Sequence, residues 1–111
     1  MRYPRQDRQI SFAVEDGYLV RTVVLGAERT YVHRCSASVY QEVALAIDQL
    51  ASAGTTMDML ADELGAPFTQ VNVALEFLKE RGCVDLRRRR TYPASTFVFE
   101  DAMVEYHALR P

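Results

Sequence analysis

The chain has 111 residues, 49% of them hydrophobic, which suits one compact domain with an ordinary core. No run of about eighteen apolar residues exists, so no membrane span is expected, and the opening MRYPRQDRQ lacks the apolar core of a signal peptide, so a cytoplasmic protein is expected. A net charge of −2 argues against a protein that coats nucleic acid indiscriminately. The charge is unevenly spread. Residues 36–80 carry Lys79 against seven acids, whereas residues 81–98 carry Arg81 and the run Arg87–Arg90 against Asp85 alone. Acidic helices and a basic C-terminal hairpin are the implied layout.

In chain order, Gln9–Val14 alternates with Ile10, Phe12 and Val14 on one side, the period of a half-buried strand. Glu15-Asp16-Gly17 reads as a turn, Tyr18–Leu25 as a second strand, Gly26-Ala27-Glu28 as a second turn, and Arg29–Cys35 as a third strand. The connections are too short for crossovers, so residues 1–35 should form an antiparallel meander. Residues 38–81 follow as three helices. Ser38 with Gln41 three residues on looks like a capping box, and Val39, Val43, Ala46, Ile47 and Leu50 form one apolar face before Gly54. Thr55-Thr56-Met57-Asp58 starts the next helix, its acidic first turn suited to the helix dipole. Pro67 opens the third, which buries Val71, Ala74, Leu75 and Leu78 and stops at Gly82. A hairpin over residues 83–100 is expected, with Cys83–Arg89 and Thr96–Phe99 as strands and Tyr92–Ser95 at the tip. Residues 101–109 make a short final helix with Asp101 as its cap.

The stretch Thr55–Leu86 carries the most information. Leu60, Ala61 and Leu64, then Val71, Ala74, Leu75 and Leu78, have the spacing of two short amphipathic helices around Gly65-Ala66-Pro67. Ala61 lets the helices cross closely, Gly65 makes the corner, and Val71 plugs the angle between them. This stretch resembles the helix-turn-helix of winged-helix proteins, so the expected class is an α+β winged helix-turn-helix domain. The resemblance implies double-stranded DNA as partner and transcription regulation as role. It puts Phe68, Thr69, Gln70, Asn72 and Val73 in the major groove, and Arg87, Arg88, Arg89, Arg90 and Thr91 on backbone or minor groove. Gln70 and Asn72 suit adenine, and arginine suits phosphate. Alternation along a strand would put Arg88 and Arg90 on one face, Arg87 and Arg89 on the other. Against this pattern, Phe68 and Val73 stand where basic or small polar residues are common, and Glu76 and Glu80 add negative charge.

Three strands followed by three helices is also similar to the leader-peptide recognition domains of peptide-modifying systems. That resemblance implies peptide binding by strand addition to Arg29–Cys35, in a groove of Tyr31, His33, Phe68, Asn72, Val73 and Glu76. Phe68 and Val73 then become an apolar floor. DNA binding is the first expectation and peptide capture the alternative.

No Gly-rich phosphate loop, HExxH or nucleophile elbow occurs, so catalysis and a cofactor are not expected. Cys35 and Cys83 sit in apolar surroundings without CxxC spacing and read as buried free thiols. His33, His107 and the two cysteines fit no zinc pattern. Met103, Val104, Tyr106 and Leu109 on the final helix could seal a homodimer or fold back on the core.

Overall fold

A computed structural model describes residues 8–26, 29–50 and 53–111 of the chain. The order is β1 (Arg8–Glu15), β2 (Tyr18–Leu25), β3 (Arg29–Cys35), α1 (Ala37–Asp48), α2 (Met57–Leu64), α3 (Phe68–Glu80), β4 (Val84–Arg87), β5 (Arg90–Pro93) and α4 (Val98–Ala108). It is an α+β layout with one antiparallel sheet ordered β1-β2-β3 and a separate β4-β5 hairpin. The turn expected at Ala27-Glu28 and the first seven residues of the meander lie outside the described residues.

The sheet register explains which side chains turn inward. Val14 pairs Leu19, and Leu19 pairs Cys35; one step along the same face come Phe12, Arg21 and His33. Val14, Leu19 and Cys35 are buried, and the Phe12 ring meets Phe77 of α3 at 5.1 Å. The helices therefore cover this face at its Leu19 end. Farther along, Ile10, Tyr31 and Arg29 are exposed. Between β1 and β2, Asp16 and Gly17 both take positive φ (53° and 80°), as a two-residue hairpin turn demands.

α1 starts earlier than the capping-box pattern suggests. Ser36, not Ser38, is its N-cap, accepting from the Val39 N–H at 3.2 Å, because β3 runs straight into the helix and leaves Ser36 extended. Ser38 instead stands within the first turn. Its buried residues are Tyr40, Val43, Ala44 and Ile47, so the inward stripe is rotated from the expected one, with Val39, Ala46 and Leu50 at the edges. Gly54 does not stop α1, which ends at Gln49; its positive φ serves a close approach to Tyr92 instead.

α2 is capped by Thr56, whose hydroxyl accepts from Met59 N–H at 3.2 Å, and ends at left-handed Gly65. The Gly65–Pro67 corner leads into α3, with Leu60 and Val71 wholly buried where the two helices meet. α3 closes with a Schellman arrangement: Cys83 N–H to Leu78 carbonyl at 2.9 Å and Gly82 N–H to Lys79 carbonyl at 3.2 Å, Gly82 taking φ 73°. Its interior side comprises Val71, Val73, Ala74, Phe77 and Leu78, while Leu75 is only half-buried. Phe77 is the side chain the apolar spacing underrated. It joins Phe12 on β1 to Tyr40 on α1, centroids 5.1 and 5.9 Å away.

The hairpin departs most from expectation. Its strands pair Val84 with Pro93 and Arg87 with Arg90, so the tip is Arg88-Arg89, not Tyr92–Ser95. Thr96–Phe99 is no strand; Val98 already begins α4. The strand alternation expected for the four arginines fails for the same reason, since two of them are the turn. α4 is capped at Phe97 rather than Asp101, with Ser95 Oγ accepting from the Phe97 N–H and donating to Asp101 at 3.0 Å. It docks on α1 through a Tyr106–Tyr40 stack at 5.4 Å. The Tyr40 hydroxyl donates to the Ala102 carbonyl at 2.6 Å, and Tyr106 donates to Gly17 at 2.7 Å.

Candidate functional site

Three strips run along α3, set by helical spacing. Gln70, Val73 and Phe77 form the strip facing the sheet. Gln70 Oε1 accepts the Ser36 N–H at 2.9 Å where β3 ends, and Phe77 meets Phe12. Val71, Ala74 and Leu78 point into the helical core. Asn72, Leu75, Glu76 and Lys79 face the hairpin and, with Thr56, Leu86 and Arg89 among others, line a cleft of about 180 Å³.

Several residues expected to touch DNA are engaged by the protein itself. Val73 is 0% exposed, so neither a base nor a peptide reaches it. The carbonyl oxygen of Gln70 is held by Ser36. Thr91 is buried and exchanges two main-chain bonds with Thr55, at 2.7 and 2.9 Å, which fix the hairpin to the start of α2. Arg87 lies over the Tyr92 ring at 4.1 Å, and Arg90 reaches the Ala53 carbonyl at 3.4 Å. Thr69, Arg88 and Arg89 are exposed, and Asn72 shares the hairpin cleft with Arg89. Glu76 lies in that cleft too, so its charge is mixed.

The six residues expected as a peptide groove do not form one groove. Tyr31 and His33 line a hollow on the sheet, Asn72 and Glu76 belong to the hairpin cleft, Val73 is underneath, and Phe68 stands 51% exposed at the start of α3. The sheet hollow measures about 330 Å³ and is lined by Arg8, Arg21, Val23, Leu25, Tyr31 and His33. These residues share the helix-facing side of the sheet, past the point where the helices stop covering it. Strand parity carries the signal for it: Arg21 falls between Leu19 and Val23 on the inward face of β2, a charged residue where an apolar one is the norm. Reading Tyr18–Leu25 only as β-branched passes over it.

β3 is an edge strand; among the described residues it pairs only with β2. Its main-chain groups along the outer side are therefore available for a further strand. Tyr31 and Val32, exposed on opposite faces of it, give that edge apolar flanks.

Both thiols are buried and unpaired. Desolvation pushes Cys35 up to about 12 and Cys83 up to about 11, so both are poor nucleophiles at neutral pH. Among the described residues no group of three or more His, Cys, Asp or Glu is placed to hold a metal ion, and no helix is long and apolar enough to cross a membrane. On α4, Tyr106 is committed to the core, Met103 and Leu109 are half-buried against it, and Val104 is 63% exposed; of the four residues considered for a dimer seam, only Val104 faces fully outward.

No family model, no curated protein and no solved structure matches the chain.

Proposed function

We propose that this chain is a non-catalytic binding module that captures an extended peptide by strand addition along β3. The outer edge of β3 carries the reading. It runs seven residues, is paired on one side only among the described residues, and carries exposed Tyr31 and Val32. Main-chain hydrogen bonds to such an edge supply affinity, and side-chain hollows beside it supply selectivity. α3 supports the edge from beneath, with Gln70 bonded at the end of β3 and Phe77 packed on the sheet, so the strand is held before any peptide arrives. In this reading α2, α3 and the β4-β5 hairpin form a winged helix-turn-helix whose helix serves the sheet rather than a DNA groove. The test is selection of short random-sequence peptides on the folded chain, followed by amide exchange with the best binder. Slowed exchange confined to Arg29–Cys35 is the expected result. Slowing elsewhere, with β3 unchanged, would overturn it.

A second reading, binding to duplex DNA, is favoured by the hairpin tip. Arg88 and Arg89 are exposed there with φ of 49° and 66°, a conformation costing L side chains roughly 1–2 kcal/mol per residue. Asn-Gly would build the same turn without that strain, so the two positive charges have a use outside the turn. Titration with random-sequence duplex at low salt tests it: Arg88→Ala with Arg89→Ala should weaken binding and flatten its salt dependence. No binding by the wild type at low salt would remove this reading.

A further inference from the structure

The floor of the sheet hollow holds a charge that no described residue neutralises. Arg21 is 8% exposed, and its Nε is wholly buried without a hydrogen-bond partner. Neither ion pair found among the described residues includes it. Phe12 and His33 flank it in register, and Val23 follows on the same strand face. Among the described residues that line the hollow, the other ionisable groups are Arg8, Tyr31 and His33, and none is a carboxylate. A buried guanidinium N–H left without an acceptor destabilises a fold, so its retention calls for a partner that enters from outside.

We propose that this hollow is a carboxylate subsite, which receives an Asp or Glu side chain of the peptide strand added along β3. The proposal rests on the strand-addition reading. A strand beside β3 would lie about two strand spacings, roughly 10 Å, from β2. Its inward side chain passes over β3 between Tyr31 and His33, and an extended carboxylate side chain and the long arginine together cover that span. The flat guanidinium fork offers a carboxylate two parallel bonds, and burial strengthens them relative to water. Val23, Leu25 and the Tyr31 ring pack against methylene stems and aliphatic neighbours, which favours Glu within an apolar peptide over a free inorganic anion.

The test uses the full chain and the displayed library of short random peptides. An acidic residue at one fixed position should be enriched on the wild type. Changing that residue from Glu to Gln in the best peptide should weaken binding by about tenfold or more, the loss of a charge-assisted pair. On Arg21→Met the same change should matter less than about twofold, and that variant should melt no lower than the wild type, because an apolar side chain replaces an unpaired buried charge. Arg21→Lys, which keeps the charge and loses the fork, should retain the acidic preference in weaker form. The Glu-to-Gln comparison on the wild type needs no variant to fold. Selected peptides that protect β3 without any acidic preference would overturn the subsite and leave strand addition standing. A library yielding no binder that protects β3 would overturn strand addition and the subsite with it. Unfolding of both Arg21 variants would make Arg21 a structural residue and likewise sink the subsite.

Discussion

The two sides of α3 are held by different means. On the sheet side, Val73 and Phe77 are dry, and the contact is ring on ring with Phe12. On the hairpin side the contact is a shallow cleft with Asn72, Glu76 and Lys79 in it, and the hairpin is fastened elsewhere, by the Thr55–Thr91 bonds. Buried aromatic area stabilises far more than one pair of main-chain bonds. The helix is thus fixed to the N-terminal sheet, while the hairpin is buried only at its base, through Cys83, Val84 and Thr91, and its arm from Asp85 to Arg90 is exposed. That difference favours β3 as a working edge and leaves the arginine tip as a surface free to vary.

The largest effect should come from the sheet side. Phe77→Ala removes the ring joining Phe12 to Tyr40 and should cost about 3–5 kcal/mol in denaturant unfolding. A loss under about 1 kcal/mol would break the contrast. On the hairpin side, Gly54→Ala sets a Cβ 2.8 Å from the Tyr92 ring at a backbone φ of +71°, so about 1–3 kcal/mol is expected, with amide exchange rising at Thr91 and Tyr92 before the sheet. Replacing Arg88-Arg89 by Asn-Gly should raise stability by about 1 kcal/mol, since the turn keeps its shape and sheds its strain. A fall in melting temperature would show that the arginines hold the hairpin rather than burden it.

The smallest effect concerns the thiols, one on each side. Both are raised by burial, Cys35 to about 12 and Cys83 to about 11, from an ordinary 9.0. The unfolded chain ionises first as pH climbs, so the neutral-thiol contribution to stability is whole below pH 9 and declines between 9 and 12. Alkylation of the native protein at rising pH should modify Cys83 before Cys35. The reverse order would mean that the sheet side opens more readily than the hairpin side.

Much of the fold is legible because local signals and tertiary packing agree. Alternation in Gln9–Val14 and Arg29–Cys35 marks strands, Asp16-Gly17 marks their turn, and Gly65 and Gly82 end α2 and α3 where left-handed backbone is needed. The hairpin and its first strand were legible, but its tip and its second strand were not. Arg-Arg is not turn chemistry, so strand register and not local preference put the tip at those two residues. The candidate site divides in the same way. Tyr31 and His33 are read correctly onto one face of β3, but grouping them with Asn72 and Glu76 fails, because helical spacing turns those two toward the hairpin.

By itself the amino-acid sequence determined the four helices, the meander, the Gly65 corner and the segregation of acid from base, since each depends on residues within a few positions of one another. Tertiary structure alone decided that Val73 is sealed, that Gln70 bonds Ser36, that Tyr106 belongs to the core and that Arg21 is buried with its Nε unpartnered among the described residues. Those outcomes turn on which faces meet across distances of tens of residues, and local pattern carries no record of that.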